Sequence, residues 1–201
     1  MNQDAKVISM FVFFAAGETW FSGLIKKVCG GWSHMGIGFR LDDGSAEYFE
    51  ALYAKGVRGP KPLQDLIDWS WEVPSRQVAI VNLPWIPPYI CERKYGISRT
   101  YVGMAGYGEL KLLVMWCFEK VSRKIGLKLL DSTRQVVCST FAARVLYPDY
   151  PLTDKVRLTD DEVTPGSAWE VVKADTRCKP AYYPQALQEE DEEEGAINES
   201  A

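Results

Sequence analysis

The run KVISMFVFFAA (6–16) constrains this chain more than any other stretch. It is rich in β-branched and aromatic residues and apolar on both faces of the strand it would form, so that strand has to be buried. A single Lys6 precedes the apolar residues. They are too few to span a bilayer and lack a basic flank, which argues for a core strand over a signal peptide. No other stretch reads as a membrane span. The expectation is a chain made and kept in the cytoplasm, a reducing compartment.

Further elements follow from periodicity and punctuation. ETWFSGLIKKV (18–28) places Trp20, Leu24, Ile25 and Val28 near helical spacing, and Gly30-Gly31 closes it. MGIGFRL (35–41) reads as a strand, DDG (42–44) as a tight turn and AEYFEALY (46–53) as the returning strand. Pro62 suits the first turn of a short helix, PLQDLIDW, and QVAIVNL (77–83) reads as a strand. A helix from Pro87 to about Lys94 ends at Tyr95-Gly96. Residues 107–126 make a longer amphipathic helix with Leu110, Leu113, Val114, Cys117 and Val121 on its core-facing stripe. VVCSTFAARVLYP (136–148) repeats apolar residues at helical spacing until Pro148, so Cys138 falls at a helix start. TPGSAWEVV (164–172) enters a last helix through Thr164-Pro165. The pattern is α+β, a small antiparallel sheet packed against helices.

The 201 residues suit one domain, 1–187, followed by an acidic, disordered tail, 188–201. The tail holds seven of the 27 acids and no Lys or Arg, leaving 20 acids against 23 bases in the body. That mildly basic body lacks a Lys/Arg cluster interleaved with aromatics and gives no sign of nucleic-acid binding. Five cysteines, odd in number and without a CxxC pair, exclude a disulfide framework and a zinc site. No cofactor or metal is called for.

A cysteine at a helix N-terminus, beside an imidazole, is an activated nucleophile. Cys138 has the helix start, and His34 is the only histidine in the chain. A third group has to orient the imidazole. If DDG is a three-residue loop, His34 faces Leu52 and Glu50 lies diagonal to it on the same face. A longer loop puts Glu50 directly opposite, and an odd register turns Glu50 away and brings Glu47 round. Ser139 and Thr140, small and polar, suggest an opening beside Cys138. Trp32, directly before SHMG, fits either a substrate groove or the core. Cys117 reads as core, and Cys29, Cys91 and Cys178 as structural.

SHMGIGF, EYFEA followed by KGV, Tyr95-Gly96 and VCSTFAARVL, in that order, resemble the circularly permuted NlpC-like cysteine peptidases of the papain-fold superfamily. The nearest branch is the YiiX-like one, related to lecithin retinol acyltransferase. The resemblance covers roughly residues 7 to 175. It implies a permuted papain-like fold, with Cys138 as nucleophile, His34 as general base and Glu50 as the orienting residue. It also implies an oxyanion hole that includes the backbone N–H of Cys138, with Gln135 as a side-chain helper and Tyr95 lining the pocket. VCSTF departs from the Asn-Cys-Glu-His-type box of the acyltransferases, which favours amide or peptide hydrolysis. Peptidoglycan stem peptides are the substrates the family most often cuts. Two other readings use the same residues: a non-catalytic papain-fold binding or virion structural module, and a lipid-directed acyltransferase or thioesterase. Peptidoglycan lies outside the cytoplasm, so such a target requires delivery, as by a phage or a secretion apparatus.

Overall fold

The computed structural model describes residues 5–18, 23, 31–52, 55–104, 138–152 and 163–184. These form an α+β fold in which six strands make one antiparallel sheet in the order β4-β3-β2-β1-β5-β6. The strands are β1 (Val7–Ala16), β2 (His34–Leu41), β3 (Ala46–Leu52), β4 (Gly56–Pro62), β5 (Gln77–Asn82) and β6 (Pro180–Tyr183). The helices described are α1 (Leu63–Trp71), α2 (Pro88–Tyr101), α3 (Cys138–Leu146) and α4 (Pro165–Ala174).

The two-faced apolarity of β1 is explained by its place between β2 and β5. Phe11, Phe13 and Ala15 pack with Tyr48, Val78, Ile80 and the α1 residues Leu63 and Leu66. Val12, Phe14 and Ala16 join a larger core with Met35, Ile37, Phe49, the α3 residues Phe141 and Ala142, and Trp169 of α4. Burying each of these large side chains contributes about 1.5–3 kcal/mol. The sheet is therefore a layer with helices on both sides.

Three features differ from the sequence expectation. Gly56–Pro62 is a strand, β4, and α1 begins after Pro62. Its prolines are tolerated because β4 is an edge, where one row of N–H groups needs no ladder partner. Helix α2 continues through Tyr95-Gly96 to Tyr101, because Ile90, Cys91, Lys94 and Ser98 carry one buried face past the glycine. A mid-helix glycine costs only about 1 kcal/mol, which that packing outweighs. Finally, β6 pairs with β5, making the sheet larger than expected.

Helix α4 starts as its sequence suggests. Thr164 Oγ1 accepts from the Ser167 N–H at 3.1 Å, and Ser167 Oγ accepts from the Thr164 N–H at 2.9 Å. The C-terminal end of α3 is held by the buried Lys94, whose ammonium donates to the Tyr147 carbonyl at 2.6 Å and pairs with Asp149 at 2.7 Å. The helix expected over 18–28 is described only at residues 18 and 23, and that over 107–126, Cys29, Cys117, Gln135 and the tail 188–201 lie outside the described residues. Among the described residues no helix is long and apolar enough to cross a membrane.

Candidate active site

The β2–β3 hairpin decides whether His34 has a carboxylate. Gly36 faces Glu50, and Leu41 donates to the Ser45 carbonyl at 2.9 Å across the loop Asp42-Asp43-Gly44. This is the three-residue loop, and it puts Glu50 diagonal to His34 on one face. The Nε2 of His34 lies 3.0 Å from Oε2 of Glu50. An ionised carboxylate only accepts, so the ring nitrogen donates. The other oxygen, Oε1, accepts from Lys61 Nζ at 2.7 Å. Burial alone would keep Glu50 protonated, but the hydrogen bonds and charges of His34 and Lys61 outweigh it, lowering its pKa to about 2.

Phe13 braces the imidazole from β1, with its ring centroid 6.0 Å from that of His34 and edge-on to Tyr48 at 5.4 Å. The glycine two residues after His34 makes room for that ring. A Cβ on Gly36 would lie 2.5 Å from Phe13 ring carbons and 2.5 Å from the Phe49 carbonyl oxygen.

Cys138 lies on α3, which is described from this residue onward, and is almost wholly buried. Its thiol lies beside His34, with the backbone N–H groups of Met35 and Ser139 near enough to favour a thiolate. With Nε2 taken by Glu50, Nδ1 is the ring nitrogen left to face the sulfur. Burial opposes a thiolate here, yet these donors and the imidazolium charge pull the Cys138 pKa below its ordinary value. Burial likewise opposes an imidazolium, but Cys138 and Glu50 raise the His34 pKa from 6.5 to about 10. The other described cysteines behave oppositely. Burial lifts Cys91 to about 11 and raises Cys178, which lies 3.4 Å from the Tyr150 hydroxyl. Among the three, Cys138 alone is pulled below its ordinary value.

The remaining candidates are placed elsewhere or serve other ends. Tyr95 does not line this group: its hydroxyl donates to Glu47 at 2.8 Å and its ring packs on Phe39 and Phe49. Phe39 is five residues along β2 from His34, about 17 Å of strand. Trp32 is core, packed against Phe14 and Trp169. Ser139 and Thr140 are each 2% exposed, so they pack inside and form no opening. Ser139 contributes its backbone N–H instead. Gln135 lies outside the described residues. Lys61 and the Met35 N–H were not foreseen. A backbone donor leaves no trace in sequence, and Lys61 is reached only once β4 is known to be a strand.

The group can hold a thiolate against an imidazolium while a carboxylate fixes the ring. Among the described residues no cluster of three His, Cys, Asp or Glu side chains is arranged to hold a metal ion. No protein-family model matches the chain, and no curated protein matches it.

Proposed function

We propose that this protein is a cysteine hydrolase of the permuted papain-like, NlpC type, cleaving an amide or peptide bond through an acyl-enzyme on Cys138. The observation that carries the reading is the convergence of Cys138, His34 and Glu50, with the imidazole held on Glu50 at 3.0 Å and the thiol beside it. The Cys138 thiolate attacks the carbonyl carbon, and the C–S bond forms as the carbonyl electrons move to oxygen. The backbone N–H of Cys138 is the donor assigned to that oxyanion. The intermediate then collapses and the C–N bond breaks. The departing amine takes the proton from His34. His34 next removes a proton from water, which attacks the thioester and releases the acid, regenerating the thiolate. Glu50 holds the imidazole in the tautomer this sequence needs. Peptidoglycan stem peptides are the leading substrate class, on the resemblance of SHMGIGF and VCSTFAARVL to the family.

Stem-peptide fragments incubated with the wild-type protein test the reading. New amine and carboxyl ends should appear by mass spectrometry, and Cys138→Ala and His34→Ala should abolish them while remaining folded. Cleavage that survives Cys138→Ala would remove the thiol from the mechanism.

A further inference from the structure

Strand β4 runs against β3 in two registers. Gly56, Val57 and Arg58 face Leu52, Ala51 and Glu50, whereas Lys61 and Pro62 face Tyr48 and Glu47. One extra residue is therefore taken up in β4 opposite Phe49, at Gly59-Pro60, which is a β-bulge. A one-residue shift turns every later side chain to the other face of a sheet. Had the first register continued, Lys61 would face Glu47, on the side where Tyr95 of α2 packs. With the bulge it faces Tyr48, on the side of His34 and Glu50. Its Nζ lies 5.5 Å from the Tyr48 ring centroid and donates to Glu50 Oε1 at 2.7 Å. Gly59 permits the bulge. Its φ is +136°, and a Cβ there would lie 2.5 Å from the Phe49 ring and 2.7 Å from the Tyr48 carbonyl oxygen.

We propose that Lys61 is a positioning residue of the Cys138–His34–Glu50 group, turned onto it by the Gly59-Pro60 bulge to hold the Glu50 carboxylate ionised and aimed at His34. The inference rests on the reading of Cys138 and His34 as a thiolate–imidazolium pair. With Glu50 only 8% exposed at its side chain, both of its oxygens need donors. His34 supplies one and Lys61 the other. The charged and titratable groups around the carboxylate are His34 on β2, Tyr48 on β3, Arg58 and Lys61 on β4, and, beyond Tyr48, Asp65 on α1. Arg58 stands directly across from Glu50 in register but is exposed to solvent, and Lys61 takes the hydrogen bond. Thiolate, imidazolium, carboxylate and ammonium together carry no net charge. Without the ammonium the buried group is left negative and takes up a proton more readily. The thiolate is where that proton goes, because a nearby cation lost raises a thiol's pKa and a loosened Glu50 weakens the imidazolium beside it.

The test is the pH dependence of iodoacetamide alkylation at Cys138, mapped by mass spectrometry, with the melting temperature of each variant measured alongside. The set is wild type, Lys61→Met, Lys61→Gln and Lys61→Arg in the full chain. Lys61→Met and Lys61→Gln should each move the Cys138 midpoint up by about one pH unit, a roughly tenfold loss of thiolate below both midpoints. Lys61→Arg should bring it back. A wild-type midpoint well below that of an ordinary thiol, unmoved in Lys61→Met and Lys61→Gln, would overturn the role of Lys61 alone, even if melting fell. A wild-type midpoint near the ordinary thiol value of about 8.5 would overturn the pair and Lys61 with it.

Discussion

His34 and Glu50 sit diagonally across the β2–β3 hairpin, and their side chains meet at 3.0 Å. That relation depends on a three-residue loop. One residue more or fewer would turn the carboxylate to the opposite face.

The carboxylate makes the pH behaviour of the fold testable. Its pKa is lowered from 4.5 to about 2 in the folded protein, so it contributes stability that is fully present above pH 4.5 and lost as pH falls through about 2. The advantage of wild type over Glu50→Gln in melting temperature should therefore shrink steadily between those values. A difference that stays constant across that window would show that Glu50 is not held ionised by its neighbours.

Gly36 should not tolerate a side chain. A Cβ meets both the Phe13 ring and the Phe49 carbonyl oxygen, and the carbonyl belongs to the neighbouring strand and cannot swing aside. Gly36→Ala is expected to cost about 1–3 kcal/mol, read from a urea unfolding midpoint, and to displace the ring that braces His34. A variant of unchanged stability would mean that β2 and β3 separate more easily than the structure implies.

Lys94 ties the far end of the Cys138 helix to α2. Lys94→Met leaves the carbonyls of Leu146 and Tyr147 without this donor, and among the described residues Asp149 keeps Arg93 at 3.1 Å. The expected loss is about 1–3 kcal/mol of unfolding free energy, measured by denaturant titration. A loss under about 0.5 kcal/mol would assign the capping to water.

The parts of the fold that were legible in the sequence are those governed by local rules. The DDG loop and the alternation of β2 and β3 brought Glu50 within reach of His34 in the even registers, and the apolar run ending at Pro148 put Cys138 on a helix. What escaped depends on position in the sheet. Pro60 and Pro62 argue against a strand unless that strand is an edge, and edge status is a property of the whole sheet. Gly96 looks like a helix end until the buried face running from Ile90 to Ser98 is seen to continue beyond it. Tyr95 and Trp32 carry no mark that separates a pocket wall from a core ring. For Trp32 the deciding partner, Trp169, lies more than a hundred residues away. Lys61 needed both the edge strand and its bulge.

The central claim is a thiolate–imidazolium pair between Cys138 and His34, and the chain offers a clean probe of it because it contains one histidine. The pair raises the folded-state pKa of His34 from 6.5 to about 10. The imidazolium's share of the stabilisation is therefore present below pH 6.5 and lost as pH rises through about 10, while the thiolate's share is lost as pH falls through the lowered Cys138 pKa. The measurement is the pH titration of the single imidazole by NMR, in wild type and in Cys138→Ala. The account predicts an imidazole that stays protonated past neutrality and titrates near pH 10 in wild type, and at distinctly lower pH once the thiol is gone. A wild-type titration near 6.5, unchanged in Cys138→Ala, would contradict the pair and with it the hydrolase built on it.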